Sequence, residues 1–309
     1  MFVAGLESAA PTVLADGRGA ANPRLIWPVA ALLGEGPAWF TDDAALRFVD
    51  IKQGNLHCMG DETVPPQTIV LGGNPSFVVP ADDGGLVIGS GNQIRRVGKD
   101  GAARALLATV PMPAHNRTND ATVDSRGRLW FGTMDDDERQ PTGALWCYDQ
   151  GRLHRMGGDA VVTNGPAISA DGTVLYHVDS GARTIWRFIV GEGPTIVQRD
   201  VFLQLGPADG YPDGIVLDSE DCLWVALWDG WGVRRYAADG RLLQTVALPC
   251  ARVTKIAFGG PGLRTAYVTT ARVGLDPAAR EAQPLAGGLF AFDAPVAGRT
   301  IPAVRLPVR

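Results

Sequence analysis

The chain has 309 residues, 46% of them hydrophobic and 20% charged, with a formal charge of −5 at pH 7. That balance argues against a binder of nucleic-acid backbones, and no stretch approaches the roughly 20 apolar residues of a membrane helix. The 39 Gly and 22 Pro are spread along the chain rather than pooled, as frequent tight turns between short strands require.

Residues 1–24 are rich in Ala, Gly and Asp and lack the basic start and apolar core of a signal peptide. They predict a poorly ordered N-terminal arm, followed by one domain over residues 25–309. From residue 37 onward a phrase recurs: an apolar strand, a polar turn with Asp or Gly, then a second apolar strand. Its copies are residues 37–50, 77–89, 121–133, 167–179, 216–227 and 257–270. A third strand ending in an aromatic residue or arginine follows most copies, as at 93–97, 144–148, 184–188, 232–236 and 288–292.

The residues that open the copies are Glu35, Asn74, Asn119, Asn164, Asp213 and Thr254, spaced by 39, 45, 45, 49 and 41. Alternation every second residue excludes a helical solenoid, although solenoids share this period. A lone four-stranded unit cannot bury both faces, so six copies predict an all-β fold, a six-bladed β-propeller. The tail from Thr300 to Val308 is expected to complete a blade. Trp130, Trp146 and Trp224 fall on repeat positions and are expected in the core.

Cys58, Cys147, Cys222 and Cys250 form no C-x-x-C pair, which speaks against structural zinc and for reduced thiols in a cytoplasmic protein. No G-x-S-x-G elbow is present, so Ser–His–Asp hydrolysis is disfavoured. His115 reads as a turn residue near a loop and His177 as a packed strand residue.

Innermost strands of a propeller line its axis, so the six opening residues predict one polar ring. Polarity alone is what any hydrated channel needs. Two carboxylates with carboxamides at one centre are costlier, unless a proton or cation separates the charges. Such an oxygen-rich set suits a hard or borderline divalent ion. Gly follows Glu35, Asn164 and Asp213 directly, allowing close backbone approach to a ligand or simply a tight strand start.

Residues 34–39, 116–124, 132–134, 163–166 and 211–214 resemble, in order, the motifs of the SMP-30/gluconolactonase family of sugar lactonases. The phrases at 119–124, 253–255 and 284–288 look closest to its bacterial xylono- and pentonolactonase branch. The resemblance implies one divalent metal ion (Zn, Ca, Mn, Mg or Fe) on Glu35, Asn164 and Asp213. It also implies sugar contacts from Arg117, Asn119 and an acidic residue that maps to Asp137, with Glu138 as the neighbouring alternative. Lys255 stands where the vertebrate branch has a smaller residue.

The implied reaction opens an aldonolactone, a pentonolactone or gluconolactone, to its aldonic acid in sugar catabolism. Asp213 would accept a proton from water, or the cation itself would activate that water, because a cation weakens a bound base. The partner is then a small sugar lactone, with no nucleic acid or membrane, and the chain a monomer or weak homo-oligomer. Two rival classes are a metal-dependent aryl-ester or phosphotriester hydrolase and a non-catalytic binding propeller.

Overall fold

The computed structural model describes residues 21–60 and 64–307, which form six four-stranded antiparallel sheets around one axis. Blade 1 comprises Gly34–Phe40, Ala45–Asp50, Asn55–Met59 and Gln67–Val70; blade 2 comprises Pro75–Pro80, Leu86–Ser90, Gln93–Val97 and Ala103–Thr109. Blade 3 runs through Asn116–Val123, Leu129–Asp135, Gly143–Asp149 and Arg152–Ala160. Blade 4 runs through Thr163–Ile168, Val174–Asp179, Thr184–Val190 and Ile196–Gln204. Blade 5 holds Tyr211–Leu217, Leu223–Trp228, Gly232–Tyr236 and Leu242–Ala247, and blade 6 opens with Val253–Gly259, Thr265–Thr270 and Leu289–Asp293. The six repeat copies are therefore the inner hairpins of six blades.

Burial falls from the axis outward. Leu129–Asp135 is buried at every residue, whereas the outermost Ala103–Thr109 is largely exposed. Inner strands are sandwiched between neighbouring blades, and outer strands meet water on one face. Trp224 joins blades 5 and 6, its ring 5.7 Å from that of Phe258 and 5.9 Å from that of Phe292. Trp130 and Trp146 are buried as expected.

A turn carboxylate supports the buried tryptophan in two blades. Asp124 Oδ2 accepts from Trp130 Nε1 at 2.8 Å and Arg128 Nε at 2.6 Å; Asp218 Oδ2 accepts from Trp224 Nε1 at 2.9 Å and Arg235 Nε at 2.7 Å. Each indole N–H would otherwise be a buried donor without a partner.

The fourth strand of blade 6 is not the C-terminal tail but Arg24–Trp27, which pairs antiparallel with Leu289–Asp293 through Arg24↔Ala291 and Leu25↔Phe290. Leu25 and Trp27 pack into the blade 6 core, and joining first strand to last sheet removes an open edge. Residues 1–20 of the expected arm lie outside the described residues; Arg24, placed in that arm, begins this strand instead.

Over residues 300–307 the expectation of a closing strand fails because Pro302 and Pro307 cannot donate to a ladder, and Val308 lies outside the described residues. The tail instead crosses the end of the channel where inner strands finish. Gly298 N–H donates to Leu263 O, Ser219 N–H to Ala297 O, Val304 N–H to Pro80 O and Arg305 N–H to Gly127 O, at 2.8–2.9 Å. Blades 6, 5, 2 and 3 are thereby strapped together. One short helix, Pro277–Ala282, is capped by Asp276; among the described residues no helix is long and apolar enough to cross a membrane.

Candidate functional site

Every inner strand changes register at the level of the polar ring. The shifts fall at Glu35/Ala38, Pro75/Phe77, Thr118/Ala121, Asn164/Ala167, Pro212/Ile215 and Val253/Lys255. A bulge inserts an unpaired residue and re-aims its side chain, so a repeated strand start yields a ring rather than one more row of ladder. Glu35, Asn119, Asn164 and Asp213 are all buried there.

Two ring members have other employment. Thr254 Oγ1 donates to Gly34 O at 2.6 Å, tying blade 6 to blade 1. Asn74 precedes its strand and is partly exposed. In blade 2, Ser76 Oγ meets Thr118 Oγ1 at 2.8 Å, another tie between blades.

A directed chain of hydrogen bonds fixes the carboxamides. Ser180 Oγ donates to Pro212 O at 2.7 Å and therefore accepts from Asn164 Nδ2 at 3.0 Å. Asn164 must then present its Oδ1 oppositely, where it accepts from Asn119 Nδ2 at 2.8 Å with one lone pair to spare. Asn119 Nδ2 also donates to Thr163 O at 2.7 Å, and its Oδ1 accepts from Arg117 Nη1 at 2.5 Å. Arg117 Nε in turn donates to Asp136 Oδ1, which also accepts from Lys52 Nζ at 2.8 Å. Lys52, Asp136 and Ser180 were not singled out for these roles in the sequence, because a loop aspartate or serine carries no distinguishing spacing.

These bonds narrow the expected sugar contacts. Arg117 is almost wholly engaged, and among the described residues only its Nη2 has no protein partner. Asn119 retains one acceptor lone pair, so it positions Asn164 as much as it faces a ligand.

The acidic loop divides its labour. Asp135 accepts from the N–H groups of Asp137, Arg139 and Gln140 at 2.9–3.1 Å and shapes the turn. Asp137 does not join the ring: its side chain is 68% exposed, 4.0 Å from Arg139. Glu138, at φ 56°, lies where its charge disfavours ionisation of Asp213. His115 is an exposed loop residue against Thr142, and His177 is a buried ring whose burial pushes its pKa down to about 3.

Burial dominates the electrostatics of the ring. Burial and then the Asp120 charge push the Glu35 carboxyl up to about 8, against the opposing Gly36 N–H. Asp213 is raised well above its ordinary value by burial, then by Glu35, Asp120 and Glu138. The Glu35 charge thus bears on Asp213, and Lys255, which opposes both shifts, leaves the two carboxyls short of compensating charge. A divalent cation on Glu35, Asp213 and the oriented Asn164 oxygen would supply it, and hard oxygen donors fit such an ion. Among the described residues no three His, Cys, Asp or Glu side chains form a cation cage, so any such set depends on the carboxamide.

Below the ring lies a chamber of about 460 Å³ walled by Phe77, Val79, Val123 and Ile168 and floored by residues 298–302 of the tail. Polar donors at one end and an apolar, strapped chamber at the other give the channel a direction. Fold and site together define a six-bladed propeller with a buried acidic centre on its axis.

The sequence profile of the SMP-30/gluconolactonase/LRE-like region matches residues 33–272, and the chain belongs to that family. It is 35% identical to pentonolactonase XacC of Haloferax volcanii over 295 residues, covering 90% of this chain and 95% of the relative. It is 32% identical to the 6-deoxy-6-sulfogluconolactonase of Pseudomonas putida, covering 87% and 93% of the two chains. In three dimensions it is similar to regucalcin, a calcium-binding protein of Agrobacterium tumefaciens, with TM-score 0.89, 27% identity and 93% and 98% coverage.

Proposed function

We propose that this chain hydrolyses sugar lactones to aldonic acids with one divalent ion held by Glu35, Asn164 and Asp213. Carrying this reading is the pair of buried, mutually repelling carboxylates beside a carboxamide oxygen held in place by Asn119 and Ser180. The relatives' names, a pentonolactonase and a sulfogluconolactonase, support the substrate class. The ion, when bound, polarises the lactone carbonyl and stabilises the negative charge that develops on its oxygen.

The chain's own groups do the rest. Arg117 Nη2 donates to a substrate oxygen while Asp136 and Asn119 hold the guanidinium still. Glu138 faces the mouth as the acidic hydroxyl acceptor, in place of Asp137. Water attacks the carbonyl carbon, its proton passes to Asp213, the ring C–O bond breaks, and the departing oxygen takes that proton. The four cysteines are free thiols, three of them buried, which supports a reducing, cytoplasmic setting.

Metal analysis after dialysis and pH-stat turnover of aldonolactones test the proposal, with aryl esters and phosphotriesters as comparison substrates. Asp213→Ala is expected to lose turnover and ion together while remaining folded. A fully active, ion-free Asp213→Ala would refute it.

A further inference from the structure

One residue further down each inner strand than the ring, the repeat breaks its symmetry a second time. Blades 1, 4 and 5 carry Gly36, Gly165 and Gly214 at this level, but blade 3 carries Asp120 and blade 6 carries Lys255. Blades 3 and 6 face each other across the axis. Lys255 Nζ reaches over to Asp120 Oδ1 and lies 3.3 Å from Ala121 O. Both side chains are buried, at 7% and 2% exposure.

Gly214 makes the crossing possible. A Cβ on Gly214 would sit 2.5 Å from Lys255 Cβ and Cγ, so any larger residue there would block the lysine stem. Asp120 spends Oδ1 on Lys255 and on the Ala121 N–H, and the Gly165 N–H also favours its charged form. That carboxylate also disfavours ionisation of both Glu35 and Asp213, and Lys255 opposes it at each.

A buried ion pair is a poor way to gain stability, since desolvation offsets most of its attraction and apolar residues of similar size serve as well. This pair stands between the ring and the apolar chamber, where Lys255 reaches the chamber wall. Its distinctive consequence is electrostatic: a third carboxylate borders the ion position, and a tethered ammonium neutralises it.

We propose that Lys255 is a positioning residue that holds Asp120 off the ring and, as a built-in counter-charge, sets how tightly the ring binds its divalent ion. Asp120 strengthens ion binding and Lys255 weakens it, which keeps the ion from being enclosed by a third carboxylate. This rests on the ion site proposed above and concerns the floor of that site rather than its ligands.

The test is the dissociation constant of Ca²⁺, Mn²⁺ or Zn²⁺ from chelator competition, with thermal melting of the ion-free proteins alongside. Lys255→Met is expected to tighten binding about 10-fold or more, and Asp120→Asn to weaken it by a similar factor, through unit charges a few ångströms away. A purely structural pair would instead weaken binding in both variants. The double variant Asp120→Asn/Lys255→Met is compared with Asp120→Asn alone, so the effect of the lysine charge is read even if Lys255→Met fails to fold. Tighter binding in the double variant supports the proposal; equal or weaker binding overturns it. A wild-type chain that takes up no ion would instead overturn the ion site and this inference together.

Discussion

Stripping the ion with a chelator and titrating it back should release protons, and the number follows from the buried carboxyls. With Glu35 at about 8, its protonated form outnumbers the ionised one by about 10 to 1 at pH 7. Binding an ion to the carboxylate therefore expels close to one proton from Glu35, and Asp213, also raised, adds up to a second. Ion affinity should then rise by about 10-fold per pH unit for each proton released, the Glu35 share of that rise levelling off above about 8. Because the folded value is raised, the stability contributed by neutral Glu35 is complete below about 4.5 and lost as pH rises through about 8. Its ceiling is about 5 kcal/mol. Ion-free protein should melt highest near pH 5 and progressively lower toward pH 8, and the ion should reverse that fall. Calorimetric titration in buffers of differing ionisation enthalpy counts the protons. Release below about 0.2 proton per bound ion at pH 7 would refute the reasoning, as would an ion-free melting curve that does not change between pH 5 and 8.

Ser180→Ala removes the acceptor that orients Asn164, so ion binding should weaken about 5- to 10-fold, with little change in melting temperature, by chelator competition. Arg117→Lys cannot hold Asp136 and Asn119 together, and should raise KM for an aldonolactone about 10-fold or more with a smaller fall in kcat, by steady-state kinetics. Trp224→Phe leaves Asp218 Oδ2 short of a donor in a buried site and should cost about 1–3 kcal/mol in urea unfolding. Removing residues 1–27 deletes the closing strand with Leu25 and Trp27, and should cost about 3–5 kcal/mol or leave an aggregating edge, seen by light scattering.

The blades were legible because each repeats a strand–turn–strand phrase, and that alternation reflects burial between two neighbours. Ring closure was not legible: Arg24–Trp27 is only four residues long and follows a stretch without periodicity, so nothing local distinguishes it from the preceding arm. The ring positions of Glu35, Asn119, Asn164 and Asp213 could be found from the repeat because every copy changes register at or beside that residue. The family resemblance points to Asp137 for a sugar contact with Glu138 as the alternative; Asp135 shapes their loop, and the Glu138 charge is the one that bears on Asp213. The three backbone contacts of Asp135 shape that turn, and spacing along a sequence does not encode it.

Where the copies agree, the residues build the fold. Asp124 with Trp130 and Asp218 with Trp224 make the same buried contact in blades 3 and 5, and neither approaches the axis chemistry. Where equivalent positions disagree, the residues meet at the axis: Glu35, Asn119, Asn164 and Asp213 on one level, Asp120 and Lys255 on the next. A strictly symmetric ring would place six like groups at one point, which for carboxylates is electrostatically prohibitive and for carboxamides leaves no charge to hold an ion. Two carboxylates on different blades, carboxamides between them and one cation tethered below make an acidic centre with limited charge. Gly214 belongs to the same solution, since a side chain there would fill the space that the Lys255 stem crosses. On the function proposed here, departures from the repeat on the axis carry the chemistry, and they are concentrated within two residues of each register shift.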